Sequence, residues 1–317
     1  MPLKLVEMEP DDFTRRRGPA VAIYARALMT SRGLTAAEAA QEAERHVADH
    51  LPRGSAARSQ LLRKAMVDGT EVGWVWVSMP GPTRPGMAWL STIEVDPDFR
   101  SRGYAAEILT AAGAELAGLG VPRLGLNVFG DNEVAARLYR RLGFDLTAQQ
   151  YSRPLTDLPP AAGVELGPIV DYETRIAALF TDYAQDLVHE QGLWHGEAEA
   201  EAARKRQELL PLGAQTPDTI LRTVMAEGRA VGWLWAGRPP VPASPELSWL
   251  HHIELDEPHR NRGHGRRAIA AIEAEVAGRG ASRLGLNVHG SNAGARRLYQ
   301  RLGYRLLAQQ MARNLPR

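Results

Sequence analysis

The sequence predicts an α+β chain in which one domain, a mixed β-sheet flanked by helices, is written twice in tandem. Two long matches predict it. Residues 93–108, IEVDPDFRSRGYAAEI, return as IELDEPHRNRGHGRRA at 253–268, and RLGLNVFGDNEVAARLYRRLGF at 123–144 returns as RLGLNVHGSNAGARRLYQRLGY at 283–304. The offset is 160 for Gly103 and Gly263, Asn127 and Asn287, Tyr139 and Tyr299, and 159 for GWVWV at 73–77 against GWLWA at 232–236. A period this long exceeds a solenoid unit and suits a whole domain. The expected division is an N-terminal domain at 1–153, a linker at 154–163 rich in proline and small residues, and a C-terminal domain at 164–317.

Each copy is expected to run in the same order. A first strand near 3–7 (164–167 in the second copy) leads into Ala-, Glu- and Arg-rich helical stretches at 20–50 and 172–210. A strand pair follows, GWVWV and then MAWLSTIEV. After a loop comes a helix over 105–119, in which Ile108, Leu109, Ala112 and Leu116 share one apolar face. Next are the strand LGLNV, a helix over 132–142 stopped by Gly143 (Gly303 in the second copy), and two last strands, FDLTA and QQYSR.

Composition removes several function classes. With 38 Lys and Arg against 37 Asp and Glu, the formal charge is +1, so no global field draws the chain to nucleic acid or an anionic membrane. The start, MPLKLVEMEPDDF, has neither a signal-peptide nor a transit-peptide pattern, and no apolar run approaches a membrane span; a cytoplasmic protein is expected. With no cysteine there is no disulfide, no Cys-ligated metal and no thiol nucleophile. No metal site is expected, and any acyl transfer must go directly to its acceptor or through another residue type.

The loop Arg100-Ser101-Arg102-Gly103-Tyr104-Ala105 lies between a strand ending in Val95 and an amphipathic helix, and Arg260-Asn261-Arg262-Gly263-His264-Gly265 is its counterpart. Small residues let the backbone approach a ligand, while the free N–H groups and positive dipole end at the helix start favour phosphate. The same pattern also occurs as plain turn chemistry. No Gly-Lys-Ser/Thr ending is present, which excludes a Walker A loop. Gly263-His-Gly265-Arg-Arg-Ala268 satisfies G-x-G-x-x-A, but the first copy lacks it and no acidic strand end follows, which argues against a nicotinamide cofactor.

The cradle loop, then LGLNV, then Asn132-x-x-Ala135-x-x-Leu138-Tyr139-x-x-x-Gly143-Phe144, resembles the GNAT superfamily of acetyl-CoA-dependent N-acyltransferases. Asn292, Ala295, Leu298, Tyr299, Gly303 and Tyr304 repeat the pattern. The resemblance covers the second half of each copy strongly and the first half only in its element order. It implies tandem GNAT domains with acetyl-CoA as the cofactor. It also implies that the cradle holds the CoA pyrophosphate, and that the preceding strands, Ile93-Glu94-Val95 and Ile253-Glu254-Leu255, pair with the pantetheine arm. Tyr139 or Tyr299 is then expected to protonate the leaving thiolate, and Asn132 or Asn292 to lie beside the cofactor.

Chemistry supplies the base. A lysine-like ammonium with a pKa of about 10.4 costs about 4–5 kcal/mol to deprotonate at neutral pH. If Ile93 and Val95 pack on the following helix, strand alternation turns Glu94 to the acceptor side; the second copy puts His252 and Glu254 there. Glu254 is the leading general base, His252 an acid, base or orienting group, and Glu94 the first-copy counterpart. Asn127 and Asn287 are candidates for the same pocket. Tyrosine is expected to donate at a cost of only about 2 kcal/mol, from about 10 to a thiolate near 8.5.

Each assignment has a structural rival. The glutamates can serve surface salt bridges, and the tyrosines can be core residues. Adjacent His251 and His252 are expected on opposite strand faces, which disfavours a shared metal. Arg137, Arg140, Arg141, Arg296, Arg297 and Arg301 read as a solvated helix face before they read as partners of the 3′-phosphate. Trp74, Trp76, Trp233 and Trp235 read as strand packing, with one of each pair facing the acceptor side. Thr92 and Ala105 stand where the second copy has His252 and Gly265; alanine still suits the cradle, so both copies are expected to bind CoA and one or both to be active, the second if only one turns over substrate.

The expected activity is direct acetyl transfer to the primary amine of a small molecule, such as an amino sugar, amino acid derivative or antibiotic. The tandem layout also resembles mycothiol synthase, which acetylates a cysteinyl sugar amine, and a protein N-terminus is a further acceptor. From another class comes a non-catalytic acyl-CoA-binding regulatory module. Nucleic-acid binding lacks the basic charge and aromatic interleaving it needs.

Overall fold

The computed structural model describes residues 2–50, 59–81, 84, 86–130, 132–158, 162–191, 193–241 and 243–316. The chain forms two compact units, one of residues 1–147 with 308–317 and one of residues 148–307. The units part at 147/148 and 307/308, whereas the sequence places its division at 154–163. Residues 148–154 already lie in a strand, and residues 159–161 of the expected linker lie outside the described residues.

The first unit begins with β1 (Lys4–Glu7), α1 (Pro10–Arg32), α2 (Ala36–His50), β2 (Gln60–Val67), β3 (Thr70–Ser78) and β4 (Met87–Val95). It continues with α3 (Tyr104–Gly118), β5 (Arg123–Phe129) and α4 (Glu133–Arg141). The chain then enters β6 (Asp145–Pro154), most of which belongs to the second unit. That unit repeats the order as β7 (Glu165–Pro168), α5 (Tyr172–Gln191), α6 (His195–Leu209), β8 (Ile220–Ala226), β9 (Arg229–Gly237) and β10 (Leu247–Leu255). It closes with α7 (His264–Gly278), β11 (Arg283–His289) and α8 (Ala293–Arg301), before β12 (Arg305–Asn314).

Each unit's sheet is completed by the strand that follows the other copy's last helix. In the first unit the order is β1-β2-β3-β4-β5-β12, and Met311 of β12 pairs with Leu126 of β5. In the second it is β7-β8-β9-β10-β11-β6, with Tyr151 of β6 opposite Leu286 of β11. FDLTA and QQYSR thus form one continuous strand, and β2 and β8, which the helical reading of the first half passed over, add an antiparallel strand to each sheet.

Strand alternation sorts the side chains onto two faces. Val75 and Val77 join Ile108, Leu109 and Leu116 of α3, whereas Trp74 and Trp76 join Phe13, Val21 and Leu28 of α1 and Ala39 and Ala43 of α2. Tryptophans two residues apart must share a face, so both of the pair lie under the first helices rather than one on each side. Buried to 0% and 3% exposure, each contributes roughly 4–6 kcal/mol of apolar burial. Gly73 precedes them because its neighbour strand comes too close for any side chain: a Cβ there would lie 2.2 Å from the Glu94 carbonyl oxygen, and one at Gly232 would lie 2.1 Å from that of Glu254.

Candidate active site

The site begins where two strands part. Parallel pairing of β4 with β5 covers only Met87–Leu90 against Arg123–Leu126, although β4 runs on to Val95 and β5 to Phe129. In the second unit β10 and β11 pair over Leu247–Leu250 against Arg283–Leu286 and then separate in the same way. A one-residue bulge starts each divergence: Ser91 is the extra residue of β4 against β3, and His251 that of β10 against β9. Beyond the bulge, the backbone of 92–94 and 252–254 has no strand partner on the side of β5 and β11, which suits an extended amide-bearing ligand.

The cradle loop closes the wider end. Arg100 Nε donates to the Val95 carbonyl at 3.1 Å and Arg260 Nε to that of Leu255 at 2.9 Å, so the first arginine ties the loop to its strand rather than reaching freely for a ligand. Ser101 and Asn261 lie in the left-handed region at φ 63° and 61°. Gly103 (φ 89°) and Gly263 (φ 80°) follow there as the residues preceding the first turns of α3 and α7. In α3 the Ala106 N–H turns back to the Gly103 carbonyl at 2.9 Å, while the N–H groups at the very start of each helix lack an acceptor one turn earlier; the space before them is open, since a Cβ built on either glycine meets no atom within 4 Å. Exposed Arg102 and Arg262 add positive charge. Tyr104 and His264 turn inward instead: Tyr104 packs edge-on to Phe99, and His264 is 9% exposed, so they bring their backbone and not their side chains to the cradle. A Cβ at Gly265 would meet Leu255 at 3.6 Å, an ordinary contact, which explains how Ala105 fills the same place in the first copy. Both cradles therefore fit a pyrophosphate.

Opposite the core face, the two glutamates are held alike. Trp74 Nε1 donates to Glu94 Oε2 at 2.9 Å, and Trp233 Nε1 to Glu254 Oε2 at 3.0 Å. Ile93, Val95, Ile253 and Leu255 pack on the α3 and α7 faces, leaving both glutamates on the side of the first helices. The surroundings then differ. In the second unit His252 Nε2 lies 3.6 Å from Glu254 Oε2, and the imidazole packs tilted against Trp233 at 4.5 Å. His251 stacks on Trp235 at 4.3 Å and its Nε2 lies 2.8 Å from the Arg238 carbonyl oxygen. Both imidazoles thus share the tryptophan face, against the expectation of opposite faces, because the bulge at His251 shifts the alternation by one. Burial pushes the His252 imidazolium down despite the attraction of Glu254, and burial pushes His251 down to about 4. Both rings are neutral at pH 7. No group of three or more metal-ligating side chains occurs among the described residues.

Tyr139 and Tyr299 lie 7% and 5% exposed on α4 and α8, each edge-on to the next aromatic, Phe144 or Tyr304. Burial raises Tyr139 to about 12 and Tyr299 further. Outright transfer from Tyr139 to a thiolate near 8.5 therefore costs roughly 5 kcal/mol, not the 2 expected for an unperturbed phenol. A hydrogen bond donated with the proton retained is the role these hydroxyls suit. Asn132 and Asn292 spend a side-chain oxygen on helix starts, accepting from Ala135 N at 3.0 Å and Ala295 N at 2.9 Å. Asn127 and Asn287 are exposed on the face opposite the buried leucines of their strands. Arg137, Arg140, Arg141, Arg297 and Arg301 are exposed, as a solvated helix face requires, while Arg296 is half-buried. A cavity of about 700 Å³ lined by Asp218, Arg238, Pro240 and Leu247 lies at the other end of β9 and β10, away from the cradle.

Comparison with known proteins agrees with this geometry. The family model for the acetyltransferase (GNAT) family matches residues 26–144 and again 178–304. The uncharacterized N-acetyltransferase YycN of Bacillus subtilis (strain 168) is 31% identical over 157 residues, covering 48% of this chain and 99% of its own. A mycothiol acetyltransferase of Mycobacterium sp. (strain JLS) is 29% identical over 252 residues, covering 74% of this chain and 76% of its own. Among solved structures, a GCN5-related N-acetyltransferase from Sphaerobacter thermophilus shares the fold at a TM-score of 0.54 and 16% identity, over 99% of this chain and 96% of that one.

Proposed function

Because the chain belongs to the acetyltransferase (GNAT) family, whose reaction moves an acetyl group from acetyl-CoA to an amine, we propose that its acceptor is a small-molecule primary amine and that the second unit carries turnover. The observation that carries this reading is the carboxylate of Glu254, fixed by the Trp233 indole beside a neutral His252, at the mouth of a strand gap that ends in an anion cradle.

Acetyl-CoA, when bound, supplies the activated thioester; the rest is the work of the chain's own side chains and backbone. The first-turn N–H groups of α7, with Arg262, would hold the pyrophosphate, and the unpaired backbone of 252–254 would line the path of the arm. One Glu254 oxygen is engaged by Trp233, which leaves the other to take a proton from the acceptor ammonium. His252, neutral and packed against Trp233, lies beside that carboxylate and has a ring nitrogen able to share the proton. Tyr299 keeps its proton at neutral pH and serves as a hydrogen-bond donor toward the sulfur. With no cysteine in the chain an acyl-thiol intermediate is excluded, and direct transfer to the amine is the proposed course.

The first unit has the same cradle and the same Trp–Glu pair, with Thr92 in place of His252, and its reading is cofactor binding with lower turnover. The likeness to a mycothiol acetyltransferase over 74% of the chain favours including a cysteinyl amino sugar among the acceptors tested. The experiment is CoA release from acetyl-CoA across a panel of small amines and N-terminal peptides. Release with small amines alone is expected. Release only with peptides contradicts the small-molecule reading, and tight acetyl-CoA binding without release for any amine contradicts the enzyme in favour of a binding module.

A further inference from the structure

The two copies serve as each other's control for what surrounds the glutamate. Arg16 on α1 and Arg175 on α5 hold the same place. Arg16 is saturated: its guanidinium donates to Glu71 at 2.7 Å, to Asp96 Oδ2 at 2.8 Å, and to Asp96 Oδ1. In the second unit the position of Glu71 is Ala230, and among the described residues Arg175 has only Asp256 as an acidic partner, at 3.8 Å, with its Nε buried and without a hydrogen-bond partner. Asp256 follows Glu254 by two residues, and the charge of Arg175 reaches His252, where it disfavours protonation.

A second difference lies at the bulge. In the first unit Trp76 Nε1 donates to Gln60 Oε1 at 2.7 Å, Ser78 Oγ donates to the same oxygen at 2.8 Å, and Ser91 lies 3.2 Å from Ser78. The network is closed. In the second unit Thr219 replaces Gln60 and Gly237 replaces Ser78, and the indole N–H of Trp235, 3% exposed, is buried with no acceptor. Near His252 and Glu254 the second unit thus leaves the guanidinium of Arg175 short of an acceptor, where the first unit carries its own. Leaving such a donor unmatched costs about 1–3 kcal/mol.

We propose that Arg175 recognises the acceptor, and that this acceptor is a primary amine whose skeleton also carries a carboxylate. The inference rests on the second unit being the one that transfers acetyl. A guanidinium matches a carboxylate in a two-point fork. The ammonium goes to Glu254 and the carboxylate to Arg175, so the site and a zwitterionic amine are complementary in charge.

The test uses the full chain, acetyl-CoA and matched acceptors: α-amino acids, their methyl esters, the corresponding decarboxylated amines, and aminoalkyl phosphates. Wild-type protein is expected to prefer the acids, and Arg175→Gln to raise KM for the acids roughly tenfold to a hundredfold with kcat kept and the esters unaffected. Arg175→Lys is expected to recover part of the loss, and Arg16→Gln to show no acid-selective effect. Equal use of acid and ester, a parallel shift of both in Arg175→Gln, preference for the phosphates, or acetylation of no carboxylate-bearing amine overturns the proposal. Glu254→Gln with unchanged kcat on every acceptor removes the underlying reading and this one together. Lost kcat in Glu254→Gln without any acid preference removes only the Arg175 assignment.

Discussion

Glu94 and Glu254 receive the same indole hydrogen bond, yet only Glu254 has an imidazole 3.6 Å away. On the proposed reading the residues that differ between copies carry the functional distinction, while Tyr299, which both copies share in kind, gives the first prediction. Tyr299→Phe is expected to lower kcat by about tenfold to a hundredfold at pH 7, measured by CoA release, because it removes one donor and no charge. The wild-type pH–rate profile is expected to show no tyrosine limb up to about pH 10, since burial raises both Tyr139 and Tyr299 well above 10. The histidines make a stability prediction. Both have folded values below 6.5, so between that value and the folded ones the unfolded chain binds more protons. The stability held by the neutral rings is full above pH 6.5 and is lost as pH falls toward about 4. The unfolding midpoint of wild type is expected to fall over this window more steeply than that of His251→Ser, which carries the first copy's residue. Glu254, His252 and both tyrosines were legible in the sequence because strand alternation and the repeated motif place them. Arg175 was not, since a single arginine in a charged helix has no pattern until Asp256 is seen beside it.

At the scale of elements, the divergence of β4 from β5 depends on the bulge and on the close approach of β3. Gly73 and Gly232 permit that approach, and alanine at either would drive a Cβ to within 2.2 or 2.1 Å of a carbonyl oxygen. Gly232→Ala is expected to destabilise by about 1–3 kcal/mol and to lower acetyl transfer, because the strained carbonyl is that of Glu254 itself. Gly73→Ala is expected to cost similar stability while sparing turnover, a pair of outcomes read by thermal unfolding and CoA release. The repeated Gly-Trp was visible in the sequence, but its reason was not: it lies in a cross-strand distance. The bulges at Ser91 and His251 were hidden for the same reason. An extra residue in a strand leaves the apolar pattern nearly intact while moving one face by a position, and this is why His251 and His252 share a side. β2 and β8 were passed over because the helical stretches before them set the reading of the first half.

For the molecule as a whole, the repeat announced two units but not their composition, because LTAQQYS in β6 and LLAQQMA in β12 carry the same pattern and either fits either sheet. Arg153 of β6 meets buried Glu273 at 3.1 Å and Tyr304 donates to the same carboxylate at 2.8 Å. Arg313 of β12 instead donates to the Leu142 and Leu109 carbonyls at 3.1 and 3.2 Å and packs on Phe144. Glu273→Ala is expected to destabilise the second unit by about 3 kcal/mol or more, as loss of one member of a buried pair does. Removing residues 308–317 is expected to raise hydrogen exchange in 123–129 of the first unit while 283–289 stays protected, although the deletion lies at the far end of the sequence. The most direct measurement of the central claim is kcat for acetyl transfer by wild type, Glu94→Gln and Glu254→Gln, compared on one acceptor. A loss of a hundredfold or more confined to Glu254→Gln is the predicted result. Equal retention in both variants, or a loss confined to Glu94→Gln, would contradict the assignment of turnover to the second unit.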